Sequence, residues 1–264
     1  MARLRYKSAM KKGFSLIELS IVLVILGLLV GGILAGRSLI HAGELRSAMA
    51  ESTRYKTAVY AFQDKYFGLP GDIPNATLIW GKDTTSTAPC AGSSGNAATP
   101  GTCNGNDDGL IGNGSASGAE GVRAWQQLSL AGLIEGQFTG YYDTGSKLTR
   151  GLNVPASKLN NGAWALLSRS IAGGPVWGIA GNYLQFGAES AGEIWLGAMT
   201  PEDAWNIDTK LDDGQPDYGR VMEGRGSPGT CLNPDSPYWS TAAGGHTYNF
   251  TSTLVSGCVM FIRL

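Results

Sequence analysis

Glu18 is a carboxylic acid at the start of a long uncharged segment, and this placement marks it for a specific chemical role. Five basic residues and no acidic one precede it: Arg3, Arg5, Lys7, Lys11 and Lys12. Residues 19–36 then carry no charged side chain. An acid at the centre of a membrane helix costs about 2.5–3.5 kcal/mol on insertion scales, so it is rarely kept without a partner. Glu18 therefore predicts a cationic partner.

The sequence around Glu18 resembles the N-terminal segment of type IV prepilins and type II secretion pseudopilins. Residues 13–20 read Gly-Phe-Ser-Leu-Ile-Glu-Leu-Ser and follow a lysine pair. In that family a prepilin peptidase cuts after the glycine that ends a basic leader. The new N-terminal residue, usually Phe, is then N-methylated, and an acid stands at the fifth mature position. The resemblance implies cleavage between Gly13 and Phe14, methylation of Phe14, and a role of Glu18 in assembly.

Two simpler interpretations of this segment explain less of it. A secretory signal peptide has a short apolar core followed by a small-residue cleavage site. Here that site is missing, and the apolar run is long enough to span a bilayer. A plain single-pass anchor would account for the basic flank through the positive-inside rule, but not for the sequence from Gly13 to Glu18. We expect an inner-membrane helix with a cytoplasmic N-terminus and a periplasmic globular domain.

Cleavage would provide the cationic partner of Glu18, because the new amine on Phe14 is positively charged. In a filament with these helices at its core, Glu18 can pair with the Phe14 amine of a neighbouring subunit. A subunit out of register would leave a buried charge without compensation, so the pair would set register and recruitment. The amine and Glu18 of one chain are about one helical turn apart, and an intrachain pair is the alternative.

The composition is typical of an exported, loop-rich chain and argues against nucleic-acid binding and catalysis. The formal net charge is −1, and the five basic residues before Gly13 leave −6 for the chain from Phe14 onward. Such a charge gives no electrostatic footprint for nucleic acid. The sequence has no G-x-S-x-G, P-loop or H-E-x-x-H motif, and His41 and His246 are far apart. We therefore expect no enzymatic activity.

Two acidic loops are candidates for calcium binding, although no cofactor is required. The first resembles the start of an EF-hand loop, with side-chain oxygens at Asn104, Asn106 and Asp108. Ser115 stands where the closing glutamate would be. The second loop has four aspartates: Asp208, Asp212, Asp213 and Asp217. A pattern similar to the second occurs in pilin-like proteins, and calcium stabilises loops of pseudopilins. The alternative is that both loops are solvated turns without a metal.

The four cysteines fall into two close pairs, Cys90 with Cys103 and Cys231 with Cys258. The sequence contains no C-x-x-C, so a zinc site is not expected. In an exported chain an even number of cysteines favours disulfides. Three connectivities are open, and sequence proximity favours Cys90–Cys103 and Cys231–Cys258, with free buried thiols as the alternative. The second pair resembles the disulfide that bounds the C-terminal loop of many pilins.

Apolar residues at three- and four-residue steps predict one helix from Phe14 to about Tyr66. Its first half is apolar all round and its second half is amphipathic, and Gly68 and Pro70 end it. The predicted organisation has four parts: a cleaved leader at 1–13, a membrane or filament-core helix at 14–36, its amphipathic continuation at 37–67, and a globular domain at 68–264.

The globular part predicts a long loop over residues 75–118, a helix at about 117–134 and a short helix from 201 to about 210 that Thr200 caps. Short β-like runs predict strands at 163–168, 176–180, 183–186, 193–199, 247–251 and 255–262. The predicted fold class is α+β and pilin-like. A long N-terminal helix packs on an antiparallel sheet with loop-rich insertions and a C-terminal region bounded by a disulfide.

Two functions are compatible with these patterns. The first is a structural subunit of a type IV pilus or a type II secretion pseudopilus. The second is a minor or tip pilin, or an adhesin-like protein, whose large globular domain binds a ligand. In either case the expected partners are other copies of the chain, other pilins or pseudopilins, a prepilin peptidase and an inner-membrane assembly platform. The sequence alone does not distinguish the two.

Overall fold

The computed structural model describes residues 15–82, 101–112, 120–142, 147–169, 180–190, 192–225, 231–233, 245–252 and 257–264. Gly13, Phe14 and Cys90 lie outside these residues, and so does most of the strand predicted at 176–180. The chain divides into two compact units, Met1–Gly43 and Glu44–Leu264.

The described residues form four α-helices. Their bounds are α1 (Leu16–Tyr66), α2 (Ala76–Trp80), α3 (Glu120–Leu130) and α4 (Pro201–Leu211), and a 3₁₀ turn spans Leu159–Asn161. The 51 residues of α1 confirm the long N-terminal helix predicted from the sequence. The helix ends where Phe67 adopts a positive φ of 57° and its N–H still donates to the carbonyl of Gln63 at 2.8 Å.

Seven strands form the described β structure, with bounds β1 (Gly162–Arg169), β2 (Gly181–Ser190), β3 (Glu193–Leu196), β4 (Val221–Arg225), β5 (Leu232–Asn233), β6 (Thr247–Tyr248) and β7 (Cys258–Arg263). Five of them make one antiparallel sheet in the order β1-β2-β7-β4, with β3 paired to β2. The strands β5 and β6 form a separate antiparallel pair. The α+β class and the antiparallel sheet are therefore confirmed.

The core of the second unit lies between this sheet and its helices. Trp164 of β1 and Phe186 of β2 are Cα partners whose rings are 4.8 Å apart. Tyr55 of α1 lies edge-on to Trp164 at 5.9 Å and to Trp125 of α3 at 4.9 Å. The indole N–H of Trp164 also donates to Glu51 of α1 at 2.9 Å. Burying each large apolar side chain stabilises the fold by roughly 1.5–3 kcal/mol, so these aromatic rings fix the amphipathic half of α1 on the sheet.

Helices α3 and α4 complete the cover of the second unit. Gly121 of α3 lies against the carbonyl of Leu166 in β1, and a side chain at that position would collide with it. This contact explains why α3 begins with a glycine beside Glu120. Helix α4 starts with a capping box, because the Thr200 hydroxyl accepts from the N–H of Asp203 and the Asp203 carboxylate accepts from the N–H of Thr200.

Several elements differ from the sequence-based predictions. The short helix α2 lies inside the segment predicted as a long loop, and β4 and β5 were not predicted at all. Strands β3 and β6 are shorter than the runs that predicted them. Among the tryptophans, Trp125 and Trp164 are buried, but Trp205 is 40% exposed and contacts Phe250, which is 60% exposed.

Candidate functional site

Ser15 and Glu18 form a capping arrangement at the start of α1. The backbone N–H of Ser15 donates to Glu18 Oε2 at 2.9 Å, and the Ser15 hydroxyl accepts from the N–H of Ile17 at 3.3 Å. The two bonds resemble a capping box, but the Ser15 hydroxyl accepts from the second helical N–H instead of the third, and two N–H groups without helical partners are satisfied. The carboxylate of Glu18 therefore lies over the first turn of the helix, beside the backbone of Ser15, which is the residue after Phe14.

The first half of α1 presents apolar side chains that nothing in the described part of its own unit covers. Leu16 is 87% exposed and Leu28 is 73% exposed, and the intervening leucines, isoleucines and valines are also exposed. The most apolar 18-residue window of this helix has a mean hydropathy of 2.7, and none of it is buried. Its length and composition suffice for a membrane span. This surface therefore needs lipid or other helices.

The side chains of the first acidic loop are engaged in local hydrogen bonds. Asn104 Oδ1 accepts from the N–H of Thr77 at the start of α2, at 2.8 Å. Asp108 Oδ1 accepts from the N–H of Leu110 at 2.9 Å, and Asn106 Oδ1 accepts from the N–H of Asp108 at 3.2 Å. These are hydrogen bonds of the kind that Asn and Asp make in turns and caps. The side chain of Asn104 therefore bonds to α2, whereas those of Asn106 and Asp108 bond within the loop. Calcium binding at this loop stays a prediction.

Asp72, which the sequence did not mark, organises the same loop from outside it. Its two carboxylate oxygens accept from the N–H groups of Asp108 at 3.2 Å and Gly109 at 2.9 Å. Burial raises the pKa of Asp72 above its ordinary value, and these backbone hydrogen bonds act in the opposite direction. Glu120 acts similarly by accepting from the N–H of Gly112 at 2.6 Å. Buried acids from distant positions hold this loop through its backbone.

The structure brings together three of the four aspartates of the second loop. Carboxylate oxygens of Asp208, Asp212 and Asp213 all lie within 4.8 Å of one another. Asp208 is fully buried at the C-terminal end of α4, and its Oδ2 accepts from the Tyr248 hydroxyl at 2.7 Å. Its other oxygen, Oδ1, is buried and makes no hydrogen bond of ordinary geometry to any described residue. Burial raises the pKa of Asp208 to about 6, although the Tyr248 hydrogen bond lowers it.

Asp212 and Asp213 also shape the turn that follows α4. Asp212 Oδ2 accepts from the N–H groups of Arg220 and Val221, the latter at 3.1 Å. Asp213 Oδ1 accepts from the N–H of Gln215 at 2.8 Å. In these hydrogen bonds, one carboxylate oxygen of each aspartate accepts from backbone N–H groups. The cluster therefore combines a turn with three convergent acids, which is a donor set suited to a hard divalent cation.

The fourth aspartate of this loop, Asp217, belongs to a different pair. Asp217 Oδ2 accepts from the backbone N–H of His246 at 2.8 Å and lies 3.0 Å from His246 Nδ1. Both residues are buried. The pair joins the turn before β4 to the segment that leads into β6, over 29 residues of sequence. The structure thus places Asp217 in a structural contact with His246 and does not group it with Asp208, Asp212 and Asp213.

Glu223 of β4 is a buried acid that sequence reasoning missed. It is 1% exposed, and neither of its carboxylate oxygens has a hydrogen-bond partner in the part of the chain that the structure describes. Burial raises the pKa of Glu223 well above its ordinary value, and the charge of Asp208 acts in the same direction. Burial also raises the pKa of Tyr248, with the charges of Glu223 and Asp208 contributing. The only sequence signal was an acid in the apolar run Val221-Met222-Glu223.

Of the two predicted disulfides, the C-terminal one is present. Cys231 and Cys258 are bonded, with a Cα–Cα distance of 4.8 Å and a separation of 27 residues. The disulfide ties the segment before β5 to the first residue of β7. Cys103 is fully buried and disulfide-bonded. Cys90 lies outside the described residues, so the pairing of Cys90 with Cys103 stays a prediction.

The comparison with protein families identifies the N-terminal segment. Residues 8–34 match the model of the prokaryotic N-terminal methylation motif, which is the prepilin-type motif. No curated protein matches the chain, and no solved structure matches it. The motif and the long apolar helix fit a type IV pilin or pseudopilin and are compatible with a single-pass membrane anchor. A motif of this kind is typical of structural, non-enzymatic proteins.

Proposed function

We propose that this protein is a structural subunit of a type IV pilus or a type II secretion pseudopilus. One observation carries the proposal. Inside the prepilin-type motif, the carboxylate of Glu18 caps the start of a helix whose apolar surface is exposed. In this proposal the helix first anchors the precursor in the inner membrane. A prepilin peptidase then cuts between Gly13 and Phe14, Phe14 is methylated, and the mature chain polymerises through α1.

The exposed apolar surface of α1 supports both a membrane-inserted precursor and a filament built from α1 helices. A leucine or valine that leaves water gains roughly 1.5–3 kcal/mol, so the many apolar side chains between Leu16 and Ile40 strongly favour lipid or a helical bundle. Lipid serves this purpose in the precursor, and the α1 helices of neighbouring subunits serve it in a filament. The same apolar side chains therefore suit both anchoring of the precursor in the membrane and packing of the subunit in a filament.

The charge distribution supports the orientation. Five basic residues precede Gly13 without any acid among them, and positively charged flanks remain on the cytoplasmic side. In this proposal the cleavage site lies on the cytoplasmic side of the membrane, and the globular domain, residues 68–264, lies in the periplasm. A periplasmic location agrees with the Cys231–Cys258 disulfide, since disulfides persist in oxidising compartments.

The position of Glu18 supports its assembly role. In the uncut chain the carboxylate accepts from the N–H of Ser15 at 2.9 Å. Cleavage would place a cationic amine on Phe14, one residue away from that donor. An incoming subunit with this amine would meet a carboxylate that is already oriented at the helix start. The amine can reach Glu18 of its own chain or of a neighbour, and only the second arrangement sets the register of a filament.

The proposal is tested by isolating the protein from its own cells. Sheared surface filaments, or periplasmic filaments in a secretion system, should contain the chain with methylated Phe14 as its first residue, as read by peptide mass spectrometry. A Gly13→Val variant should stay uncut in the membrane and be absent from filaments. Recovery of wild-type chain that still begins before Phe14, or the absence of filaments altogether, would contradict the proposal.

The second function, a minor or tip pilin with a binding domain, draws on the exposed aromatic residues of the globular unit. Trp205 and Phe250 contact each other edge-on at 5.9 Å and remain substantially exposed. Exposed aromatic side chains are common where proteins bind ligands. Abundance separates the two functions, because a shaft subunit dominates a filament preparation and a tip subunit is a trace component.

We further propose that Asp208, Asp212 and Asp213 bind Ca²⁺ and thereby stabilise the C-terminal half of the globular unit. Asp208 supports this proposal, because its carboxylate belongs to the cluster and its buried Oδ1 makes no hydrogen bond of ordinary geometry to a described residue. A calcium ion takes six to eight oxygen ligands, and carboxylates are the preferred ones. The ion would be expected to compensate the mutual repulsion of the three acids.

Thermal unfolding of the full chain in detergent tests the calcium proposal. At a free calcium concentration of about 100 times the dissociation constant, binding should stabilise the wild type by about 2.7 kcal/mol relative to chelator. Asp208→Asn should lose this gain, whereas the same change at an exposed acid outside both loops, Asp64→Asn, should keep it. Equal unfolding temperatures in calcium and in chelator would remove the proposal.

A further inference from the structure

Glu223 stands at the end of an apolar row that crosses the sheet. Trp164, Phe186, Met260 and Glu223 are successive Cα partners on β1, β2, β7 and β4. Directly paired residues of antiparallel strands point to the same face, so these four side chains share one face of the sheet. A buried polar group without a partner costs roughly 1–3 kcal/mol and requires an explanation. An apolar residue would complete the row without that cost.

The Cys231–Cys258 disulfide lies directly beside the Glu223 carboxyl group. One carboxylate oxygen and the two Sγ atoms all lie within 4.8 Å of one another, and all three residues are buried. The register explains this proximity. Cys258 is the Cα partner of Arg225, so Cys258 and Glu223 are diagonal neighbours on the same face of the β4–β7 pair. The unexplained acid and a redox-active sulfur pair are therefore brought together by strand pairing.

We propose that Glu223 is the proton acceptor for closure of the Cys231–Cys258 disulfide. Closure starts from a mixed disulfide between one cysteine and an external disulfide, such as oxidised glutathione or a protein disulfide, which has released its first thiol. The second cysteine thiol transfers its proton to Glu223, and its sulfur forms the new S–S bond. The bond to the external sulfur breaks, and that sulfur leaves as a thiolate with the electron pair. Two cysteine thiols are oxidised and the external disulfide is reduced.

A proton acceptor is useful at this place because both cysteines are fully buried. The thiolate is the attacking species in disulfide exchange, and a thiol among apolar side chains ionises less readily than one in water. Burial raises the pKa of Glu223 above its ordinary value, which makes its carboxylate a stronger base toward a thiol. Among the described residues, Asp208 from α4 and Tyr248 from β6 interact electrostatically with Glu223, and a negative charge on Asp208 raises the pKa of Glu223 further.

The arrangement also couples the chemistry to correct folding. Glu223 lies beside Cys258 only when β7 is paired with β4 in the register Glu223↔Met260. A slip by one residue would move the side chains to opposite faces of the sheet. Four cysteines allow three connectivities, and a base that acts only in the native register accelerates only the native one. Glu223 therefore favours Cys231–Cys258 over the alternatives.

Oxidative refolding of the full chain tests the proposal. Reduced, denatured chain is diluted into detergent with oxidised glutathione, free thiols are alkylated at intervals, and Cys231–Cys258 closure is followed by peptide mass mapping. At pH 7 the wild type should close at least about tenfold faster than Glu223→Gln, since general bases typically contribute more than this factor. Glu193→Gln, which removes an exposed acid from the same sheet, should close at the wild-type rate.

The pH dependence separates proton transfer from a purely structural role. The gap between wild type and Glu223→Gln should narrow toward about pH 9, where thiols near their ordinary pKa of about 8.5 ionise unaided. Glu223→Asp, which keeps a carboxylate, should restore part of the rate. Equal closure rates at pH 7, or a gap that is the same at every pH, would overturn the proposal.

Wild-type kinetics alone also decide the question if the variants fail to fold. Closure through a thiolate formed in water should speed up about tenfold per pH unit below the thiol pKa. Transfer to Glu223 should make the rate level off below the thiol pKa, once the carboxylate is ionised, and a tenfold slope that continues up to the thiol pKa would overturn the proposal.

Discussion

Glu18, at the start of α1, and Glu223, in β4, are both acids placed among apolar residues. Glu18 is exposed, and its carboxylate accepts from the N–H of Ser15, three residues earlier in the sequence. Glu223 is buried, and both of its oxygens lack a hydrogen-bond partner among the described residues. Glu18 has a hydrogen-bond donor at the start of its own helix, but it lies on an apolar surface that other molecules must cover. Glu223 lies in a packed core, but its carboxyl group has no hydrogen-bond partner within the described part of the chain.

The difference separates two uses of a carboxyl group. An acid that will meet another subunit must remain accessible and keep its charge, and a cap at a helix start does both. An acid that acts once, during folding, can be buried afterwards in its protonated form. We therefore expect substitutions at Glu18 to affect assembly and substitutions at Glu223 to affect folding and stability, and the following predictions test this separation.

The largest expected effect is the loss of assembly in Glu18→Ala. Removing one partner of a buried charge pair costs about 3–5 kcal/mol, so filament recovery should fall about a hundredfold or more. Recovery is measured by quantitative immunoblotting of sheared filaments against total membrane protein. Asp64→Ala, which removes an exposed acid from the same helix, should assemble normally, as should Glu223→Gln. Normal filament yield in Glu18→Ala would break the comparison.

The next effect is a gain of stability in Glu223→Met, which would complete the apolar row beside Met260. Replacing a buried charged group by a hydrophobic residue of similar size often stabilises a protein by about 1–4 kcal/mol. We expect a rise of that order at pH 8 in the free energy of unfolding of the oxidised chain, measured by denaturant titration in detergent. Glu193→Met changes an exposed acid and should give no gain. A less stable Glu223→Met would show that the carboxyl group contributes to packing.

A smaller and related effect is the pH dependence of stability. The pKa of Glu223 is higher in the folded state than its ordinary value of 4.5, so the folded chain binds this proton more tightly. Its contribution is complete below about pH 4.5 and is lost as the pH rises toward the folded pKa. We therefore expect the difference in the free energy of unfolding between Glu223→Met and the wild type to grow as the pH is raised from 4 to 9. Parallel curves would show that the group does not titrate differently on folding.

The smallest effect concerns the cap itself. Ser15→Ala removes the hydroxyl that accepts from the N–H of Ile17 and should destabilise the first turn of α1 by about 0.5–2 kcal/mol. Hydrogen exchange of the first-turn amides in detergent measures this change. Filament yield should stay close to that of the wild type, because Glu18 remains. A loss as large as that of Glu18→Ala would assign assembly to the cap rather than to the charge.

The features that were predictable from the sequence are those carried by local patterns. The motif around Gly13 and Glu18 is contiguous, and the apolar steps of α1 repeat over many turns, so both could be read without a fold. The Thr200 cap of α4 is likewise local. Strand β4 has only five residues and contains Glu223 and Gly224, both disfavoured in strands, and it escaped prediction for that reason.

The candidate sites depended on contacts that no local pattern contains. The two acidic loops look similar in sequence, but Asp72 and Glu120 hold the first one from outside, whereas Tyr248 reaches Asp208 across 40 residues. Asp217 was grouped with the loop by its position, and the fold instead pairs it with His246. The proximity of Glu223 to the disulfide follows from the β4–β7 register, which only the completed sheet defines.

Strand β7 has a consequence for when this sheet can exist during synthesis. It is the last strand in chain order, yet it lies in the interior of the sheet between β2 and β4. A nascent chain that ends before Cys258 would have made β4 but not its neighbour, and one face of the core would stay open to water. The five-stranded sheet therefore forms as a whole only after Cys258–Arg263 has been synthesised.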